Sequence, residues 1–178
     1  MAVQSYDGGC LVVVRRVVGL LLMVGLTLVS GCGGSDASGL VKGEATPRFE
    51  LQRLEGGVSR FPEDFTGQVV VIRFWADWCP FCESEMKAIE PVYRKYRDKG
   101  LRILALNVRQ DQKTAAAFIE KLGISYDTLL DQEGAVARAY GVIGLPTTFI
   151  LDREGHLATR ILGESSAELF EQLVSEQL

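Results

Sequence analysis

From Phe49 onward the apolar positions of the chain recur with two periods. Phe49–Leu54 and Val58–Phe61 read as two short strands around the turn Glu55-Gly56-Gly57. Val69–Trp75 (VVVIRFW) is almost continuously apolar and rich in β-branched residues, as suits a strand buried on both faces. From Pro80 to about Lys99 the spacing turns helical, with Phe81, Met86, Ile89, Val92, Tyr93 and Tyr96 on one broad face. Pro91 falls inside that stretch and is expected to kink or break it. Leu101–Val108 reads as a second central strand, and Thr114–Leu122 as a short amphipathic helix closed by Gly123. A strand over Tyr126–Leu130, a helix over Ala135–Tyr140 and a strand over Thr147–Leu151 follow. After the turn 152–155, His156–Leu162 returns as a strand, and Ser165–Leu178 is a last helix capped by Ser165 or Ser166. Strands and helices alternate through the middle of the chain, which argues for a mixed sheet covered by helices on both faces.

Composition narrows the function. The 178 residues suit one domain with a tail. Nineteen Lys+Arg against 23 Asp+Glu leave a net charge of -4, so there is no basic surplus to neutralise phosphates, and nucleic acid is not an expected partner. Four cysteines and a single histidine, His156, are too few for most zinc sites. His156 follows a glycine turn and reads as a surface residue. Neither a metal nor a cofactor is expected.

The N-terminal segment reads as an address. Arg15 and Arg16 precede 13 uncharged residues, Val17–Val29. That length falls within the roughly 7–15 residues of a signal-peptide apolar region and short of the ~20 that span a bilayer. The run ends in Val29-Ser30-Gly31-Cys32, which resembles the lipobox of bacterial lipoproteins. The resemblance implies cleavage after Gly31 and lipidation of Cys32. Cys10 would be discarded with the signal. The expected organisation is a signal peptide over 1–31, a lipidated Gly/Ser/Ala-rich tether over 32–44, and a globular domain over 45–178.

The candidate chemistry lies where the strand Val69–Trp75 gives way to a helix, at Trp78-Cys79-Pro80-Phe81-Cys82. Unpaired N–H groups and the dipole at a helix start favour a thiolate over a thiol at Cys79. Cys82, about one turn along, can reach back to close a disulfide. Pro80 suits a first turn because it has no N–H to leave unpaired. Such a pair can cycle between dithiol and disulfide, moving two electrons and two protons.

The string Phe74–Cys82 (FWADWCPFC) strongly resembles a thioredoxin-family active site, and Gly144-Leu145-Pro146-Thr147-Thr148 resembles that family's cis-proline loop. With the lipobox and the long block Arg102–Gly141 between the two motifs, the resemblance is to the TlpA/ResA-like branch of membrane-tethered thiol–disulfide oxidoreductases. It implies an α/β, thioredoxin-like fold: a central mixed β-sheet flanked by helices, with an inserted strand-helix block. It also implies that Cys79 is the nucleophile and Cys82 the resolving thiol. Trp78, Pro80, Phe81, Leu145, Pro146 and Thr147 would form the substrate surface, with a cis bond before Pro146. Glu85 stands at the position of the family's active-site glutamate, where a carboxylate would raise the thiol pKa and relay a proton. The implied activity is reduction of disulfides in exported proteins, as in cytochrome c maturation. An integral membrane thiol transporter would supply electrons, and a lipid anchor would hold the domain on the extracytoplasmic face of the cell envelope.

One departure stands out. Thioredoxin has a buried aspartate six residues before its first cysteine; here that position is Arg73. Its side chain is expected to reach outward or to pair with an acid, for which Asp77 is a candidate. Three alternative activities remain open. They are a thiol oxidase, a peroxidase and a copper chaperone. The second is disfavoured because Ala76 stands where a peroxidase has threonine. The third is disfavoured because two residues, not three, separate the cysteines.

Overall fold

A computed structural model describes residues 40–178. Seven strands form one sheet: β1 (Phe49–Arg53), β2 (Val58–Phe61), β3 (Val69–Trp75), β4 (Leu101–Val108), β5 (Asp127–Asp131), β6 (Thr147–Leu151) and β7 (Leu157–Leu162). Their spatial order is β2-β1-β5-β4-β3-β6-β7. The pairs β3–β4 and β4–β5 are parallel, and the other four are antiparallel. Four α-helices complete the fold: α1 (Cys82–Tyr96), α2 (Gln112–Leu122), α3 (Ala135–Ala139) and α4 (Ala167–Ser175).

Every residue of β3 is buried, as its unbroken apolar run requires. Its side chains divide by alternation. Val69, Val71 and Trp75 join a cluster with Met86 and Ile89 of α1, Phe118 of α2 and Phe170 of α4. Val70, Ile72 and Phe74 join a second cluster with Phe49, Phe61 and the α3 residues Val136 and Ala137. The sheet is therefore covered on both faces.

Some boundaries differ from the pattern. Phe81, counted on the apolar face of the first helix, lies just before it and is exposed. The helix begins at Cys82 instead of Pro80, so Cys79 lies three residues ahead of its first residue. Pro91 does not break α1. Pro91 and Lys87, whose carbonyl loses its partner, both lie on the exposed side. Ile89 and Val92 flank the proline and dock both halves of the helix into the core. β5 is shifted by one residue and ends on Asp131. Asp131 is buried because its carboxylate accepts from the N–H groups of Val136 and Ala137 at the start of α3.

The expected signal peptide, with Cys10 and Cys32, lies outside the described residues. The last residues assigned to the tether are already attached to the sheet. Gly43 N–H donates to the Leu157 carbonyl, Leu157 N–H donates to the Glu44 carbonyl, and Ala45 bridges His156. No helix of the described residues is long and apolar enough to cross a membrane.

Candidate active site

The site forms where two strand ends meet. Antiparallel pairing of β3 with β6 puts Phe74 opposite Thr147, so the loop after β3 and the loop before β6 emerge side by side. The first loop carries the cysteines. Cys79 and Cys82 form a disulfide with their Cα atoms 5.4 Å apart. The backbone winds into the helix through two turns, Cys79 N–H to the Ala76 carbonyl and Cys82 N–H to the Cys79 carbonyl. Cys79 is 3% exposed and Cys82 is fully buried.

The second loop carries Pro146, which is buried and preceded by a cis peptide bond. The Pro146 carbonyl is held by Gly163 N–H. Among the described residues, no hydrogen bond takes up the N–H or the carbonyl of Leu145. Leu145 packs on the cluster that contains both cysteines. Thr147, expected on the substrate surface, is buried instead, and its hydroxyl donates to the Gly144 carbonyl, which braces the loop from within. Trp78, Phe81 and Ile143 are exposed, at 67%, 47% and 93%. Trp78, Ile143 and Leu145 line a groove of about 590 Å³ with Val142, Arg109 and Arg138. Sequence reading found Trp78 and Leu145 but missed Val142 and Ile143, which lie outside any periodic stretch. Trp75 is core, stacked on Phe118.

The polar side of the site holds the main departure from expectation. Arg73 pairs with an acid, but that acid is Glu85 and not Asp77. Arg73 Nη1 donates to Glu85 Oε1 at 2.9 Å, and Nη2 lies 2.7 Å from Oε2. Both side chains are essentially inaccessible to solvent. Nη1 also donates to Thr148 Oγ1 at 3.0 Å, and the Ser165 hydroxyl donates to Glu85 Oε1 at 2.8 Å. The network joins β3, α1, β6 and the approach to α4. Arg73 Nε has no partner among the described residues. Asp77 is engaged elsewhere: Gln110 accepts from its N–H and donates to its carboxylate, and the Gln110 amide oxygen also accepts from Asn107. This bracket fixes the loop just ahead of the cysteines. Among the described residues no group of three His, Cys, Asp or Glu side chains is placed to hold a metal ion.

A disulfide at the head of a helix, beside a cis-proline loop on a mixed sheet, puts the chain in the class of thioredoxin-like thiol–disulfide oxidoreductases. Comparison with known proteins agrees. A family model described as AhpC/TSA matches residues 42–160. The thiol-disulfide oxidoreductase ResA of Bacillus cereus is 32% identical over 164 residues, covering 90% of this chain and 94% of ResA. ResA of Geobacillus thermodenitrificans is 34% identical over 162 residues, covering 90% and 92%. The crystal structure of a thiol:disulfide interchange protein DsbE from Chlorobium tepidum superimposes with a TM-score of 0.73 at 31% identity, covering 78% of this chain and 98% of that one. The chain belongs to the AhpC/TSA family and, within it, to the ResA-like thiol–disulfide oxidoreductases.

Proposed function

We propose that this oxidoreductase works as a reductase of exported proteins, tethered by a lipid on Cys32 after removal of residues 1–31. Its substrates are disulfides in proteins outside the cytoplasm, cytochrome c precursors among them. Its electrons come from an integral membrane thiol transporter. The tether rests on the basic pair, the 13-residue apolar run and the small-small-Cys ending. The substrate class rests on the similarity to ResA and DsbE proteins.

In the forward cycle the Cys79 thiolate attacks one sulfur of the substrate disulfide. A mixed disulfide forms and the first substrate thiolate leaves. Cys82 loses its proton and attacks Cys79 Sγ, which closes the Cys79–Cys82 disulfide and releases the second substrate thiolate. Two electrons pass from the dithiol to the substrate. Cys79 takes the nucleophile's role because it is the only one of the two with any exposure and precedes the N-terminal turn of α1. Trp78, Pro80, Phe81 and Leu145 receive the substrate, with the uncommitted backbone of Leu145 available to pair with an extended segment. Glu85, three residues past Cys82 and so on the same side of α1, tunes proton loss from the resolving thiol.

The observation that carries this reading is the Cys79–Cys82 disulfide beside the Leu145-Pro146 loop. Its test is a Cys82→Ala protein expressed in cells, with mixed disulfides isolated under non-reducing conditions. Exported proteins released by reductant are the expected catch, and Cys79→Ser should catch none. Recovery of cytoplasmic proteins alone would contradict the assignment. Alkylation of the wild-type pair in cells reads the direction: a dithiol supports the reductase, and a predominant disulfide supports the oxidase.

A further inference from the structure

The resemblance implies a lone carboxylate at Glu85 that opposes thiolate formation. The carboxylate here is not alone. Two guanidinium nitrogens lie 2.7 and 2.9 Å from its two oxygens, away from solvent, and Thr148 and Ser165 fix the geometry from β6 and from the approach to α4. Opposite charges this close present a dipole to a third group, and its potential falls off faster than that of either charge. We propose that Arg73 is a positioning residue for disulfide exchange: it clamps both oxygens of Glu85 and cancels the charge of that side chain at the cysteine pair. The thiols then meet a near-neutral pair instead of an anion. This rests on the exchange chemistry proposed for Cys79 and Cys82, and goes beyond it by assigning control of their ionisation to a residue outside the two motifs.

The other ionisable groups around α1 are engaged with their own partners. Glu90 is held by Arg94 and Ser125, and Glu83 by Lys87 with Lys121 of α2 nearby. Glu171 of α4 is held by Lys95 and Tyr96, and Asp77 by Gln110. The Tyr126 hydroxyl, which donates to the Met86 carbonyl, stays protonated because burial pushes its pKa far up. Arg73–Glu85 is therefore the ion pair that the sheet and α1 bury together, one helical turn along α1 from Cys82.

The cancellation has a signature that a purely structural pair lacks. Removing the carboxylate exposes the guanidinium, which favours the thiolate. Removing the guanidinium exposes the carboxylate, which opposes it. Removing both restores the starting balance. The test is thiolate absorbance against pH on the reduced full chain for wild type, Glu85→Gln, Arg73→Met, Arg73→Lys and the double variant Arg73→Met/Glu85→Gln. Glu85→Gln keeps an oxygen facing Arg73 and should titrate lower by about half a pH unit or more. Arg73→Met should titrate higher, and Arg73→Lys, which keeps the charge, should follow wild type. The double variant should return to the wild-type curve. If Arg73→Met does not fold, the double variant still decides. A double variant that stays with Glu85→Gln shows that Arg73 does not reach the thiols electrostatically, and overturns the proposal. Superimposable Glu85→Gln and wild-type curves overturn it equally. Loss of the exchange reading would show separately, as wild-type protein that fails to reduce a peptide disulfide while its thiols still titrate.

Discussion

Arg73 is the only charged residue in a strand whose seven positions are all buried. Its charge is met by one acid, Glu85, and that makes the pair asymmetric under mutation. Glu85→Ala leaves an uncompensated guanidinium in the core and should lower stability by about 3–5 kcal/mol. Arg73→Leu/Glu85→Leu removes both charges and should fall within about 1–2 kcal/mol of wild type. Urea unfolding measures both. A double variant as unstable as the single would mean that the pair itself contributes net stability. The cysteines also differ at this scale, although the difference is only that between 3% and full burial in the disulfide form. Limiting alkylator added to the reduced protein should label Cys79 first; labelling of Cys82 first would reverse their roles. The motif residues were legible in the sequence because the chemistry fixes their spacing. The acid that meets Arg73 was not. Proximity along the chain suggested Asp77, but Asp77 lies beyond the strand end, in the loop that Gln110 holds. Side-chain alternation on β3 turns Arg73 to the face shared by Val71 and Trp75, which α1 covers.

Helix ends hold the site elements in place. Asp111 caps α2 by accepting from Thr114 N–H, and this hydrogen bond holds its carboxyl below the usual value. The sign follows from linkage. A group whose pKa is lowered on folding adds stability above its unfolded pKa and loses it as pH falls through the folded one. Asp111→Asn should therefore flatten part of the acid-side loss of stability, which unfolding midpoints between neutral and acid pH would detect. Ser166 caps α4 by accepting from Leu169 N–H, while Ser165 is left to reach Glu85. Ser166→Ala should cost about 1 kcal/mol in denaturant unfolding. No loss would mean that packing of Phe170 and Val174 alone sets the start of α4. The sequence named the two serines as alternative caps but gave no means of dividing their roles, since both can cap and only the fold brings α1 alongside. Strand and helix types were readable from periodicity. The end of β5 was not, because Asp131 reads as a polar stop until the N–H groups of α3 are placed over it.

Across the whole molecule, the sheet order does what local pattern cannot. β1 and β2 read as a hairpin, and they are one, but their attachment to β5 through Gln52 and Arg53 depends on pairings between distant segments. The meeting of the cysteine loop with the Pro146 loop was expected from resemblance, and it arises through the β3–β6 pairing. The groove beside it joins Trp78 to Ile143 and Leu145 and brings in Arg109 and Arg138. Trp78→Ala with Ile143→Ser should raise KM for a disulfide-bonded peptide several-fold and leave the thiolate titration unchanged. An unaltered KM would move substrate docking to another surface.

The central claim is that Cys79 and Cys82 pass two electrons as a unit to a disulfide bound beside Pro146. The most direct measurement mixes the reduced full chain with an equal amount of a peptide disulfide and follows the thiols of both by mass after rapid alkylation. The account predicts one protein disulfide formed for each peptide disulfide opened. It also predicts a mixed disulfide that accumulates only in Cys82→Ala, and no transfer at all in Cys79→Ser. Transfer that survives Cys79→Ser, or peptide opened without closure of the Cys79–Cys82 bond, would contradict it.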